Sequence, residues 1–170
     1  MLYLAYGSNL HPVRLAERVP SARRVRTAVL GGYRLMFRKR GRDGSAKCDL
    51  VRTGDPADRA YGAVYRIDAA EKPLLDACEG LGNGYHDPAL EVPCGDGPIR
   101  CFTYLAQDGH IADGLRPFHW YKHLVLAGAR YHGLPAPYIE HLLGVPSCED
   151  PDEWRRGLHA GLVRRLGACD

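Results

Sequence analysis

The spacing of hydrophobic and polar residues predicts strands over most of the first two thirds of the chain. Short apolar or alternating runs, bounded by glycine, proline or charged residues, are typical of strands. We place these strands at residues 2–6, 23–30, 33–38, 49–53, 61–67, 90–92 and 99–105. The strands at 23–30 and 33–38 flank Gly31-Gly32, and those at 49–53 and 61–67 flank a second polar turn. Each of these two pairs of strands is therefore expected to form a hairpin.

Two helices are predicted among these strands. Asn9 is placed to cap a brief helix that follows the first strand. A second helix begins at Asp68 and becomes regular near Lys72, because Pro73 fits only the first helical turn. The segment that starts at Gly80 is rich in glycine, so we expect this helix to end immediately after Glu79.

From residue 117 the pattern changes to a helical period, with helices predicted at 118–132, 137–143 and 152–166. The last of these carries an apolar stripe, formed by Trp154, Leu158, Leu162 and Leu166. Strands followed by helices indicate an α+β fold with a mainly antiparallel sheet or small barrel. The 170 residues suit a single domain, 1–170, whose C-terminal helical segment starts at about residue 117.

Composition and charge exclude several classes of protein. Hydrophobic residues make up 45% and charged residues 25%, which argues against a disordered or fibrous chain. The net charge of +3 is mild and the arginines are spread out, so no nucleic acid partner is expected, and the basic stretch 23–42 is interpreted as a hairpin with solvated arginines. No basic leader and no run of about 18 apolar residues is present, so we expect a cytoplasmic protein without membrane contact. Six widely spaced cysteines without a Cys-x-x-Cys pair predict reduced thiols.

Tyr6-Gly7-Ser8-Asn9 joins the first strand to the first helix and is a candidate binding loop. Glycine lets a ligand approach the backbone closely, and successive N–H groups at a turn before a helix can bind a carboxylate or an oxyanion. An ordinary turn capped by Asn9 explains the same four residues equally well. A nucleophilic Ser8 is disfavoured, because Gly-x-Ser-x-Gly is absent and no convincing acid–histidine pair follows.

Glu79 is the candidate for proton transfer. At the last position of its helix the dipole disfavours a carboxylate, and shelter by Tyr85 and the apolar face would add desolvation. Such a group could take and return a proton near neutral pH. A solvated glutamate in the last turn is the structural alternative, which the spacing alone favours.

Tyr121 and the eight histidines give weaker signals. Tyr121 follows Trp120 at the start of a helix, where aromatic residues more often belong to the core. The small residues 127–129 predict close packing of that helix against the sheet. No motif such as His-Glu-x-x-His occurs, so we expect no metal.

Several stretches, taken in order, resemble the γ-glutamylcyclotransferase family. They are YLAYGSNL, YGAVYRI, LLDACEG, CFTYLA, and WYKHLVLAGARYHGLP leading to YIEHL, and they span roughly residues 2–142. The resemblance implies a small mixed, mainly antiparallel β-barrel flanked by helices, a small-molecule γ-glutamyl substrate and no cofactor. It implies catalysis by Glu79, and substrate binding by Tyr3, Leu4, Ala5, Tyr6, Gly7, Ser8, Asn9, Tyr85 and Tyr121.

The reaction implied by the resemblance is conversion of a γ-glutamyl amino acid or amine into 5-oxoproline and the free amine, with Glu79 as general acid and base. One alternative is a tailoring step that removes a γ-glutamyl protecting group from a biosynthetic intermediate, which an acyl carrier protein could present. Another is a ligand-binding module without catalysis. A homodimer is kept open as a further expectation.

Overall fold

The computed structural model describes residues 1–95 and 97–167, and in these ranges the chain forms nine strands and five α-helices. The strands are β1 (Leu2–Ala5), β2 (Arg23–Gly31), β3 (Tyr33–Arg40), β4 (Ala46–Arg52), β5 (Arg59–Arg66), β6 (Tyr85–His86), β7 (Ala89–Val92), β8 (Ile99–Phe102) and β9 (Leu105–Ala106). The helices are α1 (Pro12–Ala16), α2 (Lys72–Glu79), α3 (His119–Tyr131), α4 (Ala136–Gly144) and α5 (Glu153–Arg165). No helix among the described residues has the length and apolar character needed to cross a membrane.

Five strands form one mixed sheet in the order β2-β5-β1-β8-β7. β1 runs parallel to β8, and the other neighbours in this sheet are antiparallel. The edge strands β2 and β7 approach each other, so the sheet curls towards a barrel. With the helices outside it, this architecture confirms the predicted α+β fold and its mainly antiparallel sheet.

The predicted pairing of neighbouring strands is wrong. β2 pairs with β5, where Thr27 lies opposite Ala63, and β3 pairs with β4, where Leu35 lies opposite Leu50. Gly32, at a φ of 74°, turns the chain out of the five-stranded sheet. The stretch 23–42 is therefore not a hairpin. Instead, β3 and β4 form a separate hairpin whose tip is the charged loop 41–45.

The second helix begins and ends as the sequence predicts. The Asp68 side chain accepts a hydrogen bond from the Ala70 N–H and caps a short 3-10 turn, after which regular helix starts at Lys72. Gly80 ends the helix in the left-handed conformation, at a φ of 73°. Glu79 is thus the last residue of α2, as predicted.

The first helix is capped by a different residue from the one predicted. His11 has an extended backbone, and its Nδ1 accepts a hydrogen bond from the Val13 N–H at 3.2 Å. The prediction of Asn9 as the cap is therefore wrong. Because α1 starts two residues later than expected, the Asn9 side chain is available for other contacts.

Gly128 allows α3 to approach the segment that follows β1. A Cβ at this position would lie 2.6 Å from the Leu10 Cβ and 2.9 Å from the His11 backbone nitrogen. The prediction that small residues mark close packing of this helix is confirmed, but Gly128 packs on the loop segment rather than on a strand. This contact fixes the loop relative to the N-terminal end of α3, where Tyr121 lies.

The apolar stripe predicted for the last helix is only half buried. Leu162 and Leu166 are in the core, whereas Trp154 is 77% exposed and Leu158 is 56% exposed. The first half of α5 instead contacts α3 through His159, whose ring stacks on Trp120 with 3.8 Å between the ring centroids. The helical spacing was right, but the buried face changes along the helix.

The described cysteines are free thiols, as predicted: Cys48, Cys78, Cys94, Cys101 and Cys148. Cys169 lies outside the described residues. Burial raises the pKa of the Cys48 thiol to about 12 and that of Cys101 to about 11, so both stay protonated near neutral pH. These two thiols act as small apolar groups in the core.

Candidate active site

Two adjoining cavities lie between the loop after β1, the end of α2, the β3–β4 hairpin and the first turns of α3 and α5. The cavity beside the loop has a volume of about 20 Å³ and is called the inner chamber here. The cavity towards the hairpin and α5 has a volume of about 270 Å³ and is called the outer chamber. Both are lined by Ser8, Glu79, Tyr85 and Tyr121, so these residues form the junction between them.

Glu79 is held at this junction by two side chains from the N-terminal segment. Its Oε1 accepts a hydrogen bond from Asn9 Nδ2 at 2.9 Å and from Arg18 Nη1 at 2.5 Å. Arg18 also donates to Asn9 Oδ1 at 2.9 Å, which closes a three-residue network. Glu79 Oε2 has no hydrogen-bond partner within residues 1–95 and 97–167. One carboxylate oxygen is therefore fixed, and the other is available to a ligand.

Arg18 is the charge partner of Glu79. Burial by itself would lower the pKa of the guanidinium, but the neighbouring carboxylate outweighs it and raises the pKa above its ordinary value. The side chains of Arg18 and Glu79 are 17% and 15% exposed, so solvent screens the pair only partly. Asn9 extends the network inwards, because its Nδ2 also donates to the Tyr3 hydroxyl at 3.2 Å.

The loop supplies backbone donors. The N–H groups of Gly7, Ser8 and Asn9 donate to no other residue in the described part of the chain, while the Gly7 carbonyl accepts from the Leu10 N–H at 3.0 Å and closes the turn. Gly7 has little room for a side chain, since a Cβ would lie 3.2 Å from the Cys48 Cβ. Three consecutive amides are thus available for an anionic group.

Two tyrosines anchor the junction to strand β4 at Cys48. The Tyr121 hydroxyl accepts from the Cys48 N–H at 3.1 Å, and the Tyr85 hydroxyl donates to the Cys48 carbonyl at 2.6 Å. Burial raises the pKa of both hydroxyls well above the ordinary value, so both stay protonated. Tyr121 is an acceptor towards the Cys48 N–H, so its hydroxyl hydrogen is not used in that bond.

The chain is similar to known proteins over most of its length. The family model described as the AIG2-like family matches residues 59–142. A human γ-glutamylcyclotransferase is 32% identical over 149 residues, which cover 85% of this chain and 78% of the human protein. The chain belongs to the γ-glutamylcyclotransferase family, and the members found here are named as enzymes. This confirms the resemblance seen in the sequence.

Two further comparisons extend the similarity to γ-glutamylcyclotransferases along most of the chain. The mouse γ-glutamylcyclotransferase is 31% identical over 159 residues, covering 91% of this chain and 81% of its own length. A solved structure titled as a γ-glutamyl cyclotransferase superposes with a TM-score of 0.82 at 25% identity, covering 97% of this chain and 98% of that one. The curled sheet and its helices are thus the fold of the γ-glutamylcyclotransferase family.

Most residues that the resemblance implied for a γ-glutamylcyclotransferase site come together. The inner chamber is lined by Tyr3, Tyr6, Gly7, Ser8, Asn9, Glu79, Tyr85 and Tyr121. Leu4 and Ala5 are fully buried in β1 and line neither chamber, so they support the loop from the core. The roles of all ten residues in catalysis or binding stay predictions.

Two inner-chamber residues and the partner of Glu79 were not predicted from the sequence. Cys48 and Tyr104 complete the inner wall, and the Tyr104 hydroxyl donates to Asp76 at 2.6 Å. Arg18 was not singled out, because it lies 61 positions from Glu79 along the chain. The one local signal was an arginine in the turn that follows α1, close to the candidate loop.

Proposed function

We propose that the protein converts a γ-glutamyl amino acid or γ-glutamyl amine into 5-oxoproline and the free amine. Membership of the γ-glutamylcyclotransferase family supports the general activity. The observation that carries the assignment to this site is Glu79 at the junction of the two chambers. One of its oxygens is anchored, and the other has no hydrogen-bond partner among the residues that the structure describes. A substrate that lies across this junction has its reacting atoms beside one carboxylate.

The proposed reaction is an intramolecular aminolysis. Glu79 Oε2 removes a proton from the α-ammonium group of the γ-glutamyl part, and the amine nitrogen then attacks the γ-carbonyl carbon. The new carbon–nitrogen bond closes a five-membered lactam. When the original amide bond breaks, the protonated Glu79 returns this proton to the leaving nitrogen. The attacking nitrogen gives up its second proton through the same carboxylate, so the lactam keeps one N–H and the free amine leaves as an ammonium ion. No water is consumed and no external electron donor or acceptor is required.

One carboxylate suffices because the nucleophile and the electrophile belong to the same molecule. The enzyme then has to hold a folded substrate, and binding offsets the entropy cost of that arrangement. The amides of residues 7–9 are the proposed donors for the glutamyl carboxylate or for the oxyanion that forms during attack. Tyr121 offers a further protonated donor at the junction.

The test is the substitution Glu79→Gln, which keeps the shape of the side chain and removes its ability to exchange a proton. We expect 5-oxoproline release from γ-glutamyl-glutamine to fall by at least about a hundredfold. Binding of the same compound, measured by calorimetry, should stay within a few fold of the wild type. Glu140→Gln, an exposed glutamate on α4, is the matched control and should keep full activity. Comparable turnover in the Glu79 variant would contradict the assignment.

The substrate panel also tests the alternatives raised by the sequence. It contains γ-glutamyl amino acids, glutathione, a γ-glutamyl amine and a γ-glutamyl compound attached to an acyl carrier protein. Release of 5-oxoproline only from the last would favour the tailoring reaction, and no release from any would favour a binding module. The homodimer stays a prediction, which analytical ultracentrifugation would test.

A further inference from the structure

The outer chamber carries more positive charge than the proposed reaction uses. Its wall contains six basic side chains and two carboxylates, namely Arg14, Arg18, Lys39, Arg42, Lys47 and Arg155 against Asp43 and Glu79. His159 adds no charge near neutral pH, because burial and the neighbouring cations lower its pKa to about 4. An excess of cations around a cavity attracts ligands of opposite charge.

Three of these cations are already paired with carboxylates of the protein. The partners are Glu79 for Arg18, Asp43 for Lys47 at 2.6 Å, and Asp150 for Arg155 at 2.6 Å. The Lys47–Asp43 pair joins β4 to the hairpin tip, and the Arg155–Asp150 pair joins the first turn of α5 to the segment before it. These three side chains need no ligand to balance their charge.

Lys39 is different, because it is buried and has no anionic partner in the described part of the chain. The residue is only 5% exposed, and its Nζ lies 4.7 Å from the centroid of the Tyr85 ring. Within the described residues, no carboxylate oxygen lies within 4.0 Å of this Nζ. Burial lowers the pKa of Lys39, although the more distant Glu79 opposes this. A buried cation without a partner destabilises the protein, and an anion bound beside it would remove that cost.

Arg14 and Arg42 add two more incompletely paired cations to the same wall. The Arg14 Nε is buried without a hydrogen-bond partner in the described chain, and the guanidinium reaches Glu17 only at 3.5 Å. Arg42 is exposed at the hairpin tip, with its Nη2 3.6 Å from the position that a Cβ of Gly80 would occupy. Arg42 therefore lies beside the end of α2, next to the candidate catalytic residue.

We propose that the outer chamber binds the leaving part of the substrate and prefers a leaving amino acid with an acidic side chain, as in γ-glutamyl-glutamate. This inference rests on the proposed γ-glutamyl chemistry. The glutamyl part has one carboxylate, for which the amides of residues 7–9 are the proposed donors. An acidic leaving amino acid adds two more carboxylates, which Lys39, Arg14 and Arg42 can pair with. A neutral leaving amino acid leaves part of this positive charge uncompensated.

The decisive comparison uses γ-glutamyl-glutamate and γ-glutamyl-glutamine, which have nearly the same shape and differ by one charge. We expect kcat/KM for γ-glutamyl-glutamate to be higher by about tenfold at low ionic strength. The advantage should shrink as sodium chloride is added, because salt screens the interaction. Equal kcat/KM values for the two substrates would overturn the inference.

Three variants show which residues cause the preference for γ-glutamyl-glutamate. Lys39→Gln and Arg42→Glu should each reduce the advantage of γ-glutamyl-glutamate, and Arg42→Glu should improve the use of γ-glutamyl-lysine. Arg42 is exposed, so its substitution does not threaten folding. The control is Arg52→Glu, the same charge reversal at the opposite end of the β3–β4 hairpin, which should keep the wild-type preference. An equal loss for both substrates in the Lys39 and Arg42 variants would mean that these residues do not select the leaving group.

The measurement also separates this inference from the proposed function. If γ-glutamyl-glutamine and γ-glutamyl-glutamate are turned over equally, the function stands and the charge preference fails. If neither releases 5-oxoproline, the proposed function fails, and binding of the two compounds to the wild-type protein is measured by calorimetry. Tighter binding of γ-glutamyl-glutamate would support the acidic-ligand site, and equal or absent binding would overturn it.

Discussion

The inner and outer chambers meet at Glu79 but are lined by different kinds of chemical groups. The inner chamber is formed mainly by tyrosines and by the backbone of one loop, residues 7–9, which is fixed by α3 through Gly128. The outer chamber is formed largely by charged side chains from four parts of the chain: α1 with the turn after it, the β3–β4 hairpin, the end of α2 and the first turn of α5. The inner chamber is suited to recognise one chemical group by its shape and hydrogen bonds. The outer chamber is suited to recognise a ligand by its charge.

This difference explains why one chamber is visible in the sequence and the other is not. Backbone donors and a helix-terminal carboxylate require particular residues in a short stretch, so they leave a motif. An electrostatic wall needs only basic side chains that end near one another, and these come from positions 14 to 155. The charged loop 41–45 carries no motif in the sequence, yet it forms part of the outer wall.

Substitution of Arg18 should cause the largest effect, because it breaks the inner network. Arg18→Gln would leave Glu79 without its charge partner, and we expect kcat to fall by about a hundredfold with KM for γ-glutamyl-glutamine changed little. Arg18→Lys should recover part of kcat, since it restores the charge but not the geometry of the guanidinium. Steady-state kinetics on both variants check this, and an unchanged kcat in Arg18→Gln would contradict it.

Gly128→Ala should act on the inner chamber through packing. The new Cβ would lie 2.6 Å from the Leu10 Cβ, so the loop has to move and we expect a loss of about 1–3 kcal/mol in unfolding free energy. Activity should fall as well, because the loop carries the amides of residues 7–9. The control is Gly161→Ala on α5, where the new Cβ would meet no described atom within 4 Å outside the backbone of its own helix. This variant should be neutral or more stable in chemical denaturation.

The pH dependence of protein stability tests the environment of His159 in the outer chamber. Its pKa is lowered from 6.5 to about 4 by burial and by nearby cations, so the unfolded chain binds this proton more readily than the folded protein. Stability should therefore fall as the pH drops from about 6.5 to 4, with no contribution from His159 above this window. In His159→Gln, the decrease in Tm between pH 7 and pH 4.5 should be smaller than in the wild type. If Tm falls equally with pH in the wild type and in His159→Gln, the folded protein does not disfavour the protonated form of His159.

Trp154 should show the smallest effect. It belongs to the predicted apolar stripe but is 77% exposed, so Trp154→Gln should change the unfolding free energy by no more than about 0.5 kcal/mol. This variant should keep the activity and the substrate preference of the wild-type protein. A loss of several kcal/mol in chemical denaturation would show that the first half of α5 is buried against another surface in solution.

The residue pattern alone was enough to predict the α+β class and the bounds of α2, and it marked loop 6–9 and Glu79 as two separate candidates for chemistry. These features depend on interactions between near neighbours in the chain, such as the Asp68 cap, the left-handed Gly80 and the small residues of the loop. The ordered motifs then added the family, which the comparisons confirm.

The strand pairing, the partner of Glu79 and the composition of the outer chamber become visible only in the folded protein. The chain turns at Gly32, so β3 leaves the five-stranded sheet. As a result, Lys39 and Arg42 lie at the outer chamber. Arg18 reaches Glu79 across 61 positions, and Arg155 arrives from the last helix. Such contacts depend on where whole elements pack, because side chains that are distant in sequence meet only after the sheet has curled and the helices have docked.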